Sequence, residues 1–310
     1  MAVGIGAGGI LGVAIEAVAG TYVAPTKYIP FNSESLKYNI NPVERRPIRN
    51  SAGLIGVVPG NATVEGDIEF DVSADILLYF LAASRCTYVK TGTTPNFNYV
   101  FTPQSNALPA KTMSITIKRG DETFGYTGCV VGGFTLAIDS DGKLTCTANI
   151  FGRNEATQTA PTAVWPTTPI ISAGMYSLQI PTATQVFDAD TYEFSSEDNA
   201  VANGRIRNTP GASFVNFGES NATVKVERDF DTRADYDSYK AGTARSITLE
   251  ATANVSNKIT ILTPVAIANT YEVNIGGQGD LIRASVEYAS VVGAGGFHYQ
   301  ITIVTSENLT

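Results

Sequence analysis

A fifteen-residue phrase occurs twice in this chain of 310 residues, as NATVEGDIEFDVSAD at 61–75 and NATVKVERDFDTRAD at 221–235. Eight positions are identical: Asn61, Ala62, Thr63, Val64, Phe70, Asp71, Ala74 and Asp75 match Asn221, Ala222, Thr223, Val224, Phe230, Asp231, Ala234 and Asp235. The offset of 160 residues is too long for a solenoid, whose repeats run about 20–50 residues, and suits a whole domain. The chain is therefore expected to hold two copies of one unit.

The flanking sequence supports this. SLKYNIN (35–41) alternates apolar and polar residues as a half-buried strand does. PVERRPIRNSAGLIGVVPG (42–60) breaks the alternation and reads as a long loop. ATVEGDIEFDV (62–72) alternates again, with Val64, Ile68, Phe70 and Val72 on one face and Glu65, Asp67, Glu69 and Asp71 on the other. Ser73 then stands as an N-cap for a helix over 74–84, with Asp75 in its first turn. Strands follow near 112–118, 130–139 and 143–151, the last two joined by DSDGK, whose Asp-Gly pair signals a hairpin. In the second half a strand (191–195), a long loop (196–220), a strand (222–231), a Thr232 cap and a short helix (233–242) repeat the order. Strands then follow at ARSITLEATANV, KITILTPVAI, TYEVNI, DLIRASVEYASVV and near FHYQITIVT. IRN recurs at 48–50 and 206–208, and Ile138, Gly142 and Leu144 find counterparts in Ile275, Gly279 and Leu281. The Pro/Thr-rich stretch from 156 reads as a semi-rigid linker.

Hydrophobic residues are 44% of the chain and charged residues only 16%, below the usual quarter. Such a chain builds a core, and its low charge fits a surface covered by neighbouring subunits. A net charge of −8 argues against a general nucleic-acid binder, which needs a basic footprint. Cys86, Cys129 and Cys146 lack metal-site spacing and read as small buried hydrophobes. The apolar N-terminus has no basic residue before Lys27, and its glycines and Glu16 disfavour both a secretory signal and a membrane span. It reads as an arm ordered against a neighbour.

Catalytic readings fail one by one. Gly4-Ile5-Gly6-Ala7-Gly8-Gly9 matches a dinucleotide fingerprint in form, but no strand precedes it. An EF-hand alignment on Asp139 and Asp141 puts Ala137 and Ala148 at ligand positions. The Asn-x-Thr sequons at Asn61, Asn221 and Asn308 matter only on a eukaryotic secretory route. His298 is the one histidine, in an alternating segment without a nucleophile elbow. No enzyme, cofactor or metal is expected. Two features survive: the acidic stripe Glu65, Asp67, Glu69 and Asp71, echoed by Glu227, Asp229 and Asp231; and the loop arginines Arg45, Arg46 and Arg49, matched by Arg205 and Arg207. A solvated face is the simple reading of the first. The arginines suit docking onto carboxylates of a neighbour.

The block AIEAVAGTYVAPTKYIPFNSESLKYN, the Arg-bearing loop and VEGDIEFDVSADILLYFLAA together resemble the tail tube (major tail) proteins of long-tailed bacteriophages. The resemblance covers nearly the whole chain. It implies a mainly β fold of two tandem, similar β-sandwich or barrel tube domains, each with one short flanking helix. The boundaries would be an arm at 1–25, domains at 26–155 and 186–310, and a linker at 156–185. Three such chains would make a pseudo-hexameric ring, and rings would stack into a hollow tube that conducts the viral genome. The stripes Glu65, Asp67, Glu69, Asp71 and Glu227, Asp229, Asp231 would then face the lumen, and the five arginines would contact the adjacent ring. The implied partners are further copies of the chain, a tape-measure protein, tail terminator and tail-tip proteins, and double-stranded DNA in transit without specific binding; no membrane is expected. The implied place is the virion tail, after synthesis in the bacterial host cytoplasm. The alternative is a non-polymerising virion or surface β-sandwich protein that binds a receptor or carbohydrate through its loops.

Overall fold

The computed structural model describes residues 5–48, 53–106, 108–181, 183–203, 211–275, 277–278 and 280–309. After a 3-10 turn at Gly6–Gly8 come strands β1 (Ile10–Ile15), β2 (Lys27–Tyr28), β3 (Phe31–Glu34), β4 (Lys37–Arg45) and β5 (Gly56–Asp71), then helix α1 (Ala74–Ala82). Strands β6 (Cys86–Thr93), β7 (Asn96–Pro103), β8 (Met113–Arg119), β9 (Glu122–Ile138), β10 (Leu144–Gly152) and β11 (Asn154–Thr157) follow. Beyond the Pro/Thr segment lie β12 (Tyr176–Gln179), β13 (Gln185–Val186), β14 (Ala189–Glu197), β15 (Val201–Asn203), β16 (Phe214–Asn216) and β17 (Asn221–Asp229). Helix α2 (Ala234–Lys240) and strands β18 (Arg245–Asn254), β19 (Asn257–Asn274), β20 (Arg283–Val291) and β21 (Gln300–Thr305) complete the chain. The fold is mainly β, as expected.

One broad antiparallel layer runs β4-β5-β10-β9-β14-β17-β20-β19. The other layer holds β1, β8, β11 and the first half of β9. It also holds β12, β18, the first half of β19, β21 and the β6–β7 hairpin. Apolar faces of the two layers close on a core that spans both halves of the chain, from Leu11, Phe70 and Leu77 to Phe194, Ile261 and Ile303.

Strands β9 and β19 belong to both layers. Residues 122–129 of β9 pair with β8 and β11, and residues 130–138 pair with β10 and β14. Gly128, at a φ of +62°, lies where the strand passes from one layer to the other. A slip opposite Asn149/Ile150 adds the local twist that turning a corner needs. The sequence suggested that KITILTPVAI (258–267) and TYEVNI (270–275) were separate strands, divided at Ala268 and Asn269. They form one strand, β19, which passes that point with a register slip against β20 between Ala268 and Thr270. Pro264 falls at another slip, between Arg245 and Ile247 of β18, where no donor is required.

Three other expectations need correction. Residues 10–15 are no arm: β1 pairs with β8 position by position, and Leu11 and Val13 are fully buried. Glu16, read as an interruption, is buried because four donors meet its carboxylate: Gly20 N and Thr112 Oγ1 at 2.6 Å, Ser114 Oγ and Gly128 N at 2.8 Å. Residues 42–60 are no simple loop, since β4 and β5 pair outward as far as Arg45 opposite Gly56. Residues 196–220 include the short β15–β16 hairpin.

Helix α1 is apolar all round and buried on every side, because it lies between layers and touches β1, β6, β9, β19 and β21. Ser73 does not cap it in the usual way. Its hydroxyl donates to Asp75 (2.6 Å), and the first helical N–H is met by Asn257 Oδ1 (2.9 Å) from the far half of the chain. Helix α2 has a mostly exposed surface and packs on β19 alone among its closer contacts.

Candidate functional site

The eight-strand layer is the feature that carries chemistry. Strand alternation puts Val64, Ile68, Phe70 and Val72 in the core at 0% exposure and leaves Glu65, Asp67, Glu69 and Asp71 on the opposite face. There Glu69 accepts from Ser33 Oγ (3.1 Å), and Asp67 from Asn149 Nδ2 (2.8 Å). Asp71 accepts from Asn32 Nδ2 (2.8 Å) and pairs with Lys143 (3.0 Å), while Glu65 accepts from Asn39. The register carries this face across the layer: Glu193 stands opposite Lys225 and Lys225 opposite Glu287, while Glu227 stands opposite Ser285 and Ser285 opposite Glu272. Glu227 is half-buried, and Asp229 and Asp231 are exposed.

Sequence reasoning singled out seven of these carboxylates and missed Glu193, Glu197, Glu272 and Glu287. Their strands carry one or two acids each on this face, too few to draw a stripe without the ladder that aligns them. Arg228, which disrupts the second stripe in sequence, leaves this face altogether and pairs with buried Asp235 behind it. Between the two halves, Asp67, Thr135, Thr147, Asn149, Ser195 and Glu197 line a shallow groove of about 580 Å³.

The layer has two unpaired ends. Strand β4 pairs only with β5, and among the described residues no strand covers its other edge. Residues 267–274 of β19 pair only with β20. Exposed apolar side chains mark both ends: Ile40 and Val43 on β4, Val273 and Ile275 on or just after β19. Beyond the layer, the β4–β5 hairpin reaches outward with Val57, Val58, Ile48 and Leu54 exposed. A bare edge and an apolar arm are aggregation liabilities unless another chain covers them.

A family model described as phage tail tube protein matches residues 6–290. The chain belongs to that family. A search of curated proteins found no match. For a tail tube protein the role is structural, the place is the tail of the virion, and the chain assembles with further copies of itself into a tube.

Of the arginines expected to reach a neighbouring ring, Arg45 and Arg46 lie exposed on and just after the outer end of β4, Arg46 paired with Glu44 at 2.8 Å. Arg49, Arg205 and Arg207 lie outside the described residues. The sole histidine is brought to an unanticipated polar cluster. Its Nε2 lies 3.2 Å from Ser220 Oγ, and that hydroxyl donates to buried Asp198 (2.5 Å). Burial, with help from the Arg85 charge, lowers the His298 pKa. Burial raises that of Asp198 despite the Ser220 bond and Arg85. Arg85 donates to Gln104 O and Gly218 O at 2.5 Å, and Gly132 O and Gly218 N bind the Asp198 backbone at 2.9 Å. The cluster therefore fastens the joint where β9 meets β14.

Proposed function

We propose that this tail tube protein carries two similar β units, and that three chains close a ring of six units around a lumen which the genome traverses. One observation carries the reading. The order β4-β5-β10-β9 is followed by β14-β17-β20-β19, and the two runs are joined by β9–β14 pairing. Each run consists of a first strand, the strand bearing the repeated phrase, and a hairpin. The other layer supports it: β1-β8-β9 is matched by β12-β18-β19, and the β11–β9 pair by β21–β19.

If the runs are equivalent, the free edge of β19 corresponds to the edge of β9 that β14 occupies. The free edge of β4 corresponds to that of β14. Joining β19 of one chain to β4 of the next repeats an interface already made inside the chain, and repetition in one direction closes a ring. Tyr38 stands opposite Val64 as Phe194 stands opposite Val224. The ladder sets Leu136 level with Phe70 through Cys146, and Asn274 level with Asp229 through Arg283, so Ile275 answers to Leu136, two positions from its match to Ile138 in sequence. Carried over from Leu136 opposite Phe194, the join sets Ile275 against Tyr38 and Val273 against Ile40. Covalent linkage of two units makes half the joints intramolecular and raises their effective concentration.

The acidic face would line the lumen. Carboxylates there repel phosphate within a Debye length of about 8 Å at physiological salt, so DNA passes without adhering. The β4–β5 hairpin, with Arg45 and Arg46, would reach the adjacent ring, and head-to-tail stacking yields an open filament. A tape-measure protein inside, and terminator and tip proteins at the ends, complete the assembly. Electron microscopy with native mass spectrometry of the purified protein tests the reading: hollow rings or tubes are expected, with three chains per ring. Six chains per ring, or a monodisperse monomer under all assembly conditions, would refute it.

A further inference from the structure

The turns that end the two runs of the broad layer differ in what covers them. At the β9–β10 turn Ile138 is 9% exposed and Leu144 fully buried. Their cover is the segment just before β12. Leu144 N donates to Ile171 O (3.3 Å), Ile171 N donates to Val72 O (3.1 Å), and Tyr176 OH donates to Gly142 O (3.2 Å). Ala173 lies so close over Gly142 that a Cβ there would meet its methyl at 2.6 Å. At the β19–β20 turn the apolar residues are bare: Ile275 is 76% and Leu281 68% exposed, with Ile282 beside them.

The piece of chain equivalent to the cover is identifiable. Strand β12 sets Tyr176 and Leu178 opposite Ala251 and Leu249, as β1 sets Leu11 and Val13 opposite Ile117 and Ile115. Residues 170–174 (IISAG) before β12 therefore correspond to residues 5–9 (IGAGG) before β1. Both stretches are uncharged, begin with isoleucine and end with glycine. In the first, Ile171 is fully buried under the turn and Ile170, the counterpart of Ile5, is 44% exposed; in the second, Gly6 takes the place of Ile171 and Ile5 stands 74% exposed. A bare apolar turn and a bare apolar segment of the matching kind thus occur on one chain, at positions that the proposed ring brings together between one copy and the next.

We infer that residues 5–9 of one chain lie over the β19–β20 turn of its neighbour, with Ile5 against Leu281 and Ile282. The inference rests on the proposed ring, and it adds a second inter-chain contact beside the β19–β4 strand joint. It accounts for the apolar, glycine-rich opening of the chain: a segment laid across a turn needs close backbone approach, which glycine permits, and apolar side chains to bury.

Cross-linking tests it. Ile5→Cys and Leu281→Cys in one chain, treated with a short bismaleimide, should link neighbours into dimers and closed trimers in assembled rings and give no link in the monomer. The native thiols do not compete, since Cys86, Cys129 and Cys146 are at most 1% exposed and burial pushes the Cys86 thiol up to about 11. Ile5→Cys with Val255→Cys, on the exposed β18–β19 turn, is the control pair. Rings seen by microscopy with cross-linking no higher than the control would overturn this contact and leave the ring reading standing. Failure to form rings under any condition would overturn both. As a second readout, Leu281→Ser with Ile282→Ser should raise the concentration at the midpoint of ring formation roughly tenfold, as loss of an apolar anchor does. An unchanged midpoint also counts against the contact.

Discussion

At the residue scale, Asp75 and its counterpart Asp235 show why one position recurs in both phrases. Each lies buried in the first turn of a helix, where a carboxylate favours the exposed N–H groups, and each meets a cation from another element. Asp75 pairs with Lys27 (2.6 Å), which also holds Glu307 (3.0 Å); Asp235 pairs with Arg245 (2.7 Å) and Arg228. Burial works to raise the Asp75 pKa, but the Lys27 ammonium and the Ser73 and Thr168 hydroxyls outweigh it and hold the carboxyl below its ordinary value. A depressed carboxyl pKa gives stability that is fully present above the unfolded value of about 4 and is lost as pH falls through the folded one. Lys27→Met removes one partner and leaves a buried charge, so it should cost about 3–5 kcal/mol. Urea unfolding at pH 7 measures this, and the deficit should shrink in acid. Asp198 has the opposite sign. Its raised pKa means that the folded state takes up a proton more readily, so its charge costs stability at neutral pH and the cost fades as pH falls. Asp198→Asn should therefore be more stable than the parent at pH 7, by on the order of 1 kcal/mol, and should lose that advantage near pH 4. A variant less stable at both pH values would contradict the assignment.

At the element scale, the β4–β5 hairpin and the acidic face make separable predictions. The outer hairpin contributes exposed apolar side chains and little to the core. Replacing residues 44–56 with an Asn-Gly turn suited to two antiparallel strands should leave a folded, soluble protein whose far-ultraviolet spectrum is unchanged. That protein should form rings but no tubes, as sedimentation and microscopy would report. Normal tubes would remove the hairpin from inter-ring contact. Changing Glu65, Asp67, Glu69 and Asp71 to lysine deletes side-chain hydrogen bonds and the Lys143 pair but touches no core residue, so the stability loss should stay near 1–2 kcal/mol. The converted face should bind double-stranded DNA, with affinity falling steeply as salt rises because each phosphate contact releases counterion. DNA leaving such phage at the normal rate and extent would return the stripe to a solvated outer face.

For the whole molecule, the proposed ring predicts where assembly protects the backbone. In the free chain, alternate amides of residues 267–274 on β19 and of β4 face solvent at unpaired edges. Hydrogen exchange there should slow by at least about tenfold on assembly, since joined strands exchange only when the joint opens. The β9–β14 joint, already formed within the chain, should change little and serves as the internal reference. Unchanged exchange at β19 in verified tubes would place the inter-chain joint elsewhere. The outer face of α2, which bears exposed Ala234, Asp237 and Lys240 where α1 is buried on every side, is a further surface expected to gain protection.

The sequence alone determined what strand periodicity and turn chemistry can determine: the repeated phrase, the split of β5 into a core face and an acidic face, the Asp-Gly turn at 141–142, and the two helices after their phrases. Each is a local rule, since side chains alternate along any strand and Gly142 with φ near +71° is what such a turn requires. The rest depended on residues far apart. β1 was misread because Glu16 looked unburiable until Thr112, Ser114 and Gly128 supplied its donors. β19 was split at Ala268 and Asn269 because nothing local reveals a register slip against β20. The hairpin at 42–60 was taken for a loop because its strands carry prolines at 42 and 59, which the ladder sets opposite each other at another slip. The acids on β14, β19 and β20 joined the stripe only when pairing aligned them. A cross-strand ladder is fixed by partners that lie tens to hundreds of residues away, and no window on the chain contains both.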